Sequence, residues 1–369
     1  MRIGIDARIV HYARGGIRNY VLHLLDALAP LDEDTDYCVL RSRKERNPSL
    51  PGSNFRRVAC WTPPHHPLER TALGVEIARL RLDLLHSPDF IPPAGGAGRS
   101  VITVHDLNFI YYPQFLTAES RRYYNQQIEW AVQRADHILA DSHATKSDLA
   151  LLLGVPPEKV TVAHLAADPA FRPLPDRETR RALARYDLAP GYLFFVGTLE
   201  PRKNVPGLLQ AYRLLLGDGA TSAPLVLVGG KGWLYDEVFE RVEALRLSDH
   251  VHFLHDVPDA DLVALYNGAA VLAMPSFYEG FGLPALEAMA CGTPVVVADR
   301  ASLPEVVGDA GLLVDPDEPD DIAQALTQVL TDEMLQTHVR DLGLAQAARF
   351  SWEETAARTL EVYRQQLQE

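Results

Sequence analysis

The sequence predicts an α/β protein built on two doubly wound parallel sheets. Short apolar runs alternate with helical patterns along the chain. The runs are apolar at nearly every position, as in strands covered on both faces. At roughly 100–200 residues per domain, the 369 residues make room for two such sheets.

The first half supplies Arg2–Asp6, Tyr37–Leu40, Leu82–His86, Val101–Val104, His137–Ala140 and Val160–Ala163 as strands. The second supplies Tyr192–Val196, Leu225–Val228, Val251–Phe253, Val271–Met274, Pro294–Val297 and Gly311–Val314. After the first strand, Ile17, Tyr20, Val21, Leu24, Leu25 and Leu28 recur at helical spacing and form one apolar stripe. Pro169, Pro173 and Pro175 crowd the charged stretch Ala167–Pro190, which marks a boundary. The division is therefore a first domain over 1–168, a linker over 169–190, a second domain over 191–350 and a terminal helix over 351–369. Ser351 with Glu354 three residues on reads as a capping box opening that helix.

Composition narrows the function. Hydrophobic residues at 47% and charged residues at 23% exclude a disordered chain. A net charge of −14 argues against a nucleic-acid partner. Residues 1–170 carry 19 Lys and Arg against 19 Asp and Glu, whereas 171–369 carry 16 against 30. An anion site in the second half therefore needs cations placed for it. Cys38, Cys60 and Cys291 are too widely spaced for a disulfide framework or a CxxC metal site, which suits a cytoplasmic protein. No apolar run approaches the ~18 residues of a membrane span, and Asp6 falls where a signal peptide needs its apolar stretch.

Four segments carry chemistry. Phe277–Pro294 follows the strand Val271–Met274 and supplies a glycine-bearing loop and a helix beginning near Pro284. Such a start offers bare amides to an anion. Glu279 and Glu287 flank it; carboxylates repel phosphate but accept hydroxyls, as of ribose or a sugar. The plain structural alternative is acidic residues favoured by the helix macrodipole. In Phe195–Asn204, Arg202 and Lys203 follow the first strand of the acidic half, at the edge where open parallel sheets bind ligands. Two adjacent cations there suit a diphosphate. Gly15 and Gly16 open the first helix, but Asp6-Ala7-Arg8 stands where a dinucleotide GxGxxG should begin. His105 and Asp106 end the strand Val101–Val104, and such a pair serves either structure or chemistry.

Other patterns read as structure. Asp34-Thr35-Asp36, Asp259-Ala260-Asp261 and Asp315-Pro316-Asp317 match DxD, yet none ends a strand as a metal–diphosphate site requires, so turns and caps account for them. The 13 histidines form no HExxH. Helix Glu119–Arg134, with Arg121, Arg122, Tyr123, Tyr124 and Trp130, reads as half-buried rather than as a headgroup contact.

Glu279-x7-Glu287 within FYEGFGLPALEAMACGTPVV resembles the EX7E signature of retaining glycosyltransferases of family 4 (group 1), which have the GT-B fold. VGTLEPRKN, VHFLHDVPDADLVALYNGA, SLPEVVGDAGLLVDP, FSWEETA and the Gly-Gly helix start extend the resemblance over most of the chain. It departs where many members have GGIGRY, here Gly16-Ile17-Arg18-Asn19-Tyr20, and where PNG-VD is common, here His164-Leu165-Ala166-Ala167-Asp168.

The resemblance implies two Rossmann-like domains facing across a cleft, the first on the acceptor side and the second on the nucleotide-sugar donor side, with the terminal helix returning to the first. It implies that Arg202 and Lys203 bind the donor diphosphate, with the amides of Phe281, Gly282 and Leu283 nearby. Glu287 would hold the ribose, Glu279 and His105 the transferred sugar, and Gly15 and Gly16 the phosphate. Arg202, Lys203, Glu279 and His105 are then the catalytic candidates, with no cofactor and no metal. The opening MRIGIDAR resembles mannosyltransferases of polysaccharide assembly, so GDP-mannose comes first as donor and a UDP-sugar next. The acceptor would be a glycan, a lipid-linked glycan or a small molecule, the lipid-linked case bringing the protein to the inner face of the membrane. An epimerase or hydrolase on the same fold, or a non-catalytic nucleotide-sugar-binding subunit, are the rival readings.

Overall fold

The computed structural model describes residues 1–12, 15–46, 49–115, 117–230, 232 and 235–368, without the side chains of 119 and 120. Arg14, ahead of the Gly-Gly pair, lies outside the described residues, as does Glu369 at the end of the terminal helix. The chain divides into two compact units. One comprises Met1–Tyr111, Ala118–Leu165 and Ser351–Glu369; the other comprises Tyr112–Thr117 and Ala166–Phe350.

In the first unit the strands are β1 (Arg2–Asp6), β2 (Asp36–Ser42), β3 (Phe55–Cys60), β4 (Leu82–Ser87), β5 (Ala97–Val104), β6 (His137–Ala140) and β7 (Val160–Val162). They form one sheet in the order β3-β2-β1-β4-β5-β6-β7, with every pairing parallel. β3 was not expected from the sequence. It is an edge strand with exposed Arg56, Arg57 and Ala59, so it lacks the apolar run that betrays its neighbours. Helix Gly16–Leu28 buries Tyr20, Val21, Leu24, Leu25 and Leu28 of the predicted stripe, while Ile17 in its first turn is only half-buried.

The helix Trp352–Gln368 belongs to this same unit. The Glu354 amide donates to Ser351 Oγ (3.1 Å), but the Glu354 carboxylate accepts from Arg358 (2.8 Å), so only half of the expected capping box forms. Tyr363 fixes the helix to the sheet. Its hydroxyl lies 2.6 Å from His86 Nδ1, His86 Nε2 lies 2.8 Å from Thr103 Oγ1, and Tyr20 Oη lies 3.0 Å from the same Thr103 oxygen. Burial pushes His86 down to about 3, so the ring is neutral in this chain of bonds.

The second unit holds β8 (Tyr192–Val196), β9 (Leu225–Val228), β10 (Val251–Leu254), β11 (Ala269–Met274), β12 (Val295–Ala298) and β13 (Gly311–Val314). Their order is β10-β9-β8-β11-β12-β13, again all parallel. Leu193, Phe195, Leu209, Ala273, Val296 and Leu326 are among the residues of its main core. Residues 169–190, read from the sequence as linker, include the helix Asp176–Leu183, which buries Thr179, Ala182 and Leu183. Both sheets are thus doubly wound and Rossmann-like. Each reverses its strand order once, between β1 and β4 in one and between β8 and β11 in the other, and open sheets of this kind bind ligands at the carboxyl ends beside that reversal.

Tyr363→Phe should leave one buried His86 nitrogen unsatisfied and cost about 1–3 kcal/mol. Urea denaturation of the full chain checks this; an unchanged midpoint would mean that packing alone holds the helix.

Candidate active site

The reversal in the second sheet brings together two loops that lie far apart in sequence. One follows β8 and ends in the turn Pro201–Lys203; the other follows β11 and runs to Gly282. The Phe277 amide donates to the Arg202 carbonyl (2.9 Å) and joins them. Lys203 Nζ lies 2.6 Å from Glu279 Oε1, and an Arg202 terminal nitrogen lies 2.9 Å from Glu279 Oε2. Arg202 also donates to the Tyr278 carbonyl (2.7 Å) and to Glu200 (2.7 Å). Lys203 and Glu279 are buried. Burial pushes the Glu279 carboxyl up, but Lys203 and Arg202 outweigh it and hold the group down to about 2. Sequence reasoning assigned the cations to phosphate and Glu279 to sugar; the structure brings all three together as one ion cluster.

Gly282 sits at φ 105°, a conformation that favours glycine, and a side chain there would strike Leu303. Helix Leu283–Ala290 begins next, with Pro284 in its first turn and no side chain capping its start. The buried Ser302 hydroxyl lies 2.8 Å from the carbonyls of both Glu279 and Phe281, bracing the loop that leads into the helix. Phe281 packs edge-on to Phe350. The amides of Phe281, Gly282 and Leu283 thus stand just beyond the ion cluster on a loop with a fixed shape.

Glu287, half-buried and one turn into that helix, has a different environment. Its Oε2 accepts from the Tyr266 hydroxyl (2.7 Å). Burial raises its carboxyl, Asp168 and Asp259 raise it further, and Tyr266 only partly offsets them, so it titrates at about 7. Tyr266 itself stacks edge-on against Phe194 and Phe171.

In the first unit, Gly15 caps helix Gly16–Leu28 at φ 86°. Both glycines are exposed, and a side chain at either would meet nothing within 4 Å, so the approach to this helix start is open. His105 follows β5. Its partner is not the adjacent Asp106, which instead accepts from the amide and side chain of Asn108. The pairing read from the sequence is corrected to His105 Nδ1 with Asp141 Oδ2, at 2.6 Å. Asp141 follows β6, and β5 and β6 pair in register at Val104 and Ala140, so residues 105 and 141 emerge side by side. His105 Nε2 lies 2.9 Å from the Pro88 carbonyl. Burial lowers its imidazolium pKa, but Asp141 overrides this and raises it to about 9. A charged ring donating from both nitrogens suits both bonds.

The DxD stretches are engaged elsewhere. Asp315 and Asp317 both pair with Arg300 (3.0 and 3.2 Å), Asp261 with Arg185 (2.6 Å), and Asp36 with Arg2 and Arg56 (2.6 and 3.2 Å). Asp141, Ser302, Tyr266 and Glu200 are the site residues that sequence reasoning missed. A cavity of about 340 Å³ opens at the opposite, amino-terminal edge of the second sheet, lined by Gly191, Ala269, Pro294 and Arg340 among others; none of the residues of the ion cluster lines it.

Between pH 4.5 and about 7 the folded protein keeps the Glu287 proton that the unfolded chain has released. This group's contribution to stability therefore falls as pH rises through that window. Glu287→Gln should flatten the stability–pH curve between those limits, measured by urea midpoints; an unchanged slope would place the titration elsewhere.

Comparison with known proteins gives a consistent pattern. Residues 176–344 match the family "Glycosyl transferases group 1", and residues 14–171 match "Glycosyltransferase Family 4". The chain is 39% identical to the O-antigen chain mannosyltransferase B of Escherichia coli, over 99% of this chain and 100% of that protein. It is 31% identical to a D-inositol 3-phosphate glycosyltransferase of Corynebacterium urealyticum, over 95% of this chain and 90% of that one. Among solved structures, a sucrose-phosphate synthase of Thermosynechococcus elongatus superposes with a TM-score of 0.79 at 22% identity, covering 99% and 98% of the two chains. WaaG, a glycosyltransferase of lipopolysaccharide biosynthesis, superposes at 0.76 and 15% identity, covering 98% and 99%.

Proposed function

The chain belongs to the group 1, family 4 glycosyltransferases, and from that premise we propose that it moves mannose from GDP-mannose onto a growing polysaccharide, with retention and without a metal. The mannose and the polysaccharide acceptor follow the 39% identical O-antigen chain mannosyltransferase, and GDP as the carrier follows the resemblance of the opening MRIGIDAR to mannosyltransferases of polysaccharide assembly. The observation that carries the reaction is the Arg202–Lys203–Glu279 cluster beside the start of helix Leu283–Ala290.

The physical task is departure of a nucleoside diphosphate from an anomeric carbon. Negative charge grows on the β-phosphate oxygen as the bond to carbon lengthens. Arg202, Lys203 and the amides of Phe281, Gly282 and Leu283 stabilise that charge in a partly dry site. The incoming diphosphate competes with Glu279 for the two cations, and the released carboxylate turns to hydroxyls of the transferred sugar. Glu287 accepts from the ribose hydroxyls.

Positive charge grows on the sugar ring, as in glycoside cleavage. In a front-face exchange the acceptor oxygen bonds to the anomeric carbon on the side from which the phosphate leaves. The acceptor's proton passes to the departing phosphate oxygen. This route needs no protein nucleophile, whereas a covalent intermediate would need the Glu279 carboxylate beneath the anomeric carbon. Three free, buried cysteines fit a reducing cytoplasm.

Incubation of GDP-mannose and UDP-glucose with an oligomannose acceptor tests the reading. Mannose transfer with retention should proceed in EDTA, and Arg202→Ala or Lys203→Ala should each cut turnover about 10²–10³-fold, the scale for losing one such contact. Loss of activity in EDTA with recovery in Mg²⁺ would overturn the metal-free mechanism. Turnover of UDP-glucose alone would overturn the donor, and GDP release without transfer would make the protein a hydrolase.

A further inference from the structure

Residues 41–81 run against the charge of the rest of the chain. They hold nine Lys and Arg and three Glu, a net of +6 in a chain of net −14. Each acid is occupied internally. Glu69 is buried against Arg8 (2.6 Å), Glu45 pairs with the buried Arg41 (3.3 Å), and Glu76 accepts from the amides of Trp61 and Thr62 (2.6 and 3.1 Å). Arg43, Lys44, Arg46, Arg57 and Arg79 are exposed.

Large apolar side chains stand among these cations. Trp61 is 71% exposed, Leu68 66% and Val75 74%. The Arg43 guanidinium lies 3.8 Å above the Trp61 ring, and Lys44 Nζ lies 5.8 Å from the Tyr12 ring. Arg57 donates to the carbonyls of Ser42 and Glu45, which keeps it beside the same turn. The helix Glu69–Ile77 sends Leu73 and Ile77 into a core with Cys38, Leu40, Cys60 and Leu82. Its other side is exposed at Ala72 and Val75, with Leu68 seven residues before Val75 and Arg79 four after. A helix on a globular surface normally turns polar residues outward. This one turns Ala72 and Val75 outward beside Thr71, and Arg79 follows in the 3-10 turn Ala78–Leu80.

We infer that the turn after β2, the Trp61 loop and the outer side of helix Glu69–Ile77 form a docking surface for an anionic lipid bilayer. Trp61 suits the headgroup level, where an amphipathic ring is half wet. Leu68 and Val75 add exposed apolar surface, and the surrounding cations pair with anionic headgroups. Nucleic acid would use the cations and the tryptophan but gains nothing from the exposed aliphatics. Tyr12, at one edge of the patch, lies three residues before Gly15, so the bound surface would lie beside that helix start. The inference stands apart from the donor assignment and survives if the sugar proves to be another.

Co-sedimentation of the full chain with phosphatidylcholine vesicles, with and without phosphatidylglycerol, tests it. The protein should sediment with the anionic vesicles only, and a blue shift in tryptophan emission should disappear in Trp61→Ser. Lys44→Glu combined with Arg46→Glu should weaken partition at least tenfold, since each cation near an anionic surface contributes about fivefold. These exposed substitutions should leave the melting temperature and turnover on a soluble acceptor unchanged. Equal sedimentation with both vesicle types, equal sedimentation of wild type and the double variant, or a blue shift that persists without Trp61 would each overturn the surface. So would displacement from the vesicles by RNA with no effect of Val75→Ser.

Discussion

The buried ion cluster of Lys203, Arg202 and Glu279 governs the geometry of the second unit's site. Two charges withdrawn from water gain little net stability from each other, but removing either partner strands the other at a cost of about 3–5 kcal/mol. The two loops it joins are therefore locked together. β8 leads to the cations and β11 to the carboxylate, so the parallel pairing of these two strands brings the two loops side by side. Ser302 then holds the backbone between Glu279 and Phe281, and Gly282 turns it into the helix. In a half of the chain with 30 acids against 16 bases, two cations are kept beyond a strand end by one carboxylate, which in the proposed reaction a diphosphate displaces.

Two glutamates eight residues apart have been given opposite protonation behaviour. Glu279 is ionised at every physiological pH because its neighbours are cationic. Glu287 titrates near neutrality because burial, helped by Asp168 and Asp259, outweighs the bond it accepts from Tyr266. Environments that push equivalent groups apart in this way divide the labour of a site. Here the permanently charged carboxylate balances the two cations that, in the proposed reaction, receive the leaving diphosphate. The titrating one is suited to reading ribose, where it gains as an acceptor when deprotonated.

Much of this was legible in the sequence. Apolar runs such as Tyr192–Val196 and His137–Ala140 are strands over those bounds because both faces are covered. The edge strand Phe55–Cys60 escaped notice because its outward arginines break the apolar run. The spacing of Glu279 and Glu287 pointed to a shared site, but not to the difference between them, which arises from Lys203 and Arg202, remote in sequence, beside the one and from burial of the other. Likewise, Asp106 looked like the partner of His105 because it is adjacent, whereas strand pairing brings Asp141 alongside instead. Strand-end register was the available signal: residues one past the paired Val104 and Ala140 are neighbours in space. Ser302 gave no signal, since a buried serine bracing two carbonyls has no pattern of its own.

Calorimetric titration of GDP into the wild type and Glu279→Gln tests the central claim most directly. If the carboxylate is the counterion that a diphosphate displaces, removing its charge frees both cations. The variant should then bind GDP about tenfold more tightly, roughly 1.4 kcal/mol, while transferring sugar more slowly. Weaker binding of GDP by a folded Glu279→Gln would contradict the account, because Glu279 would then support the diphosphate rather than compete with it.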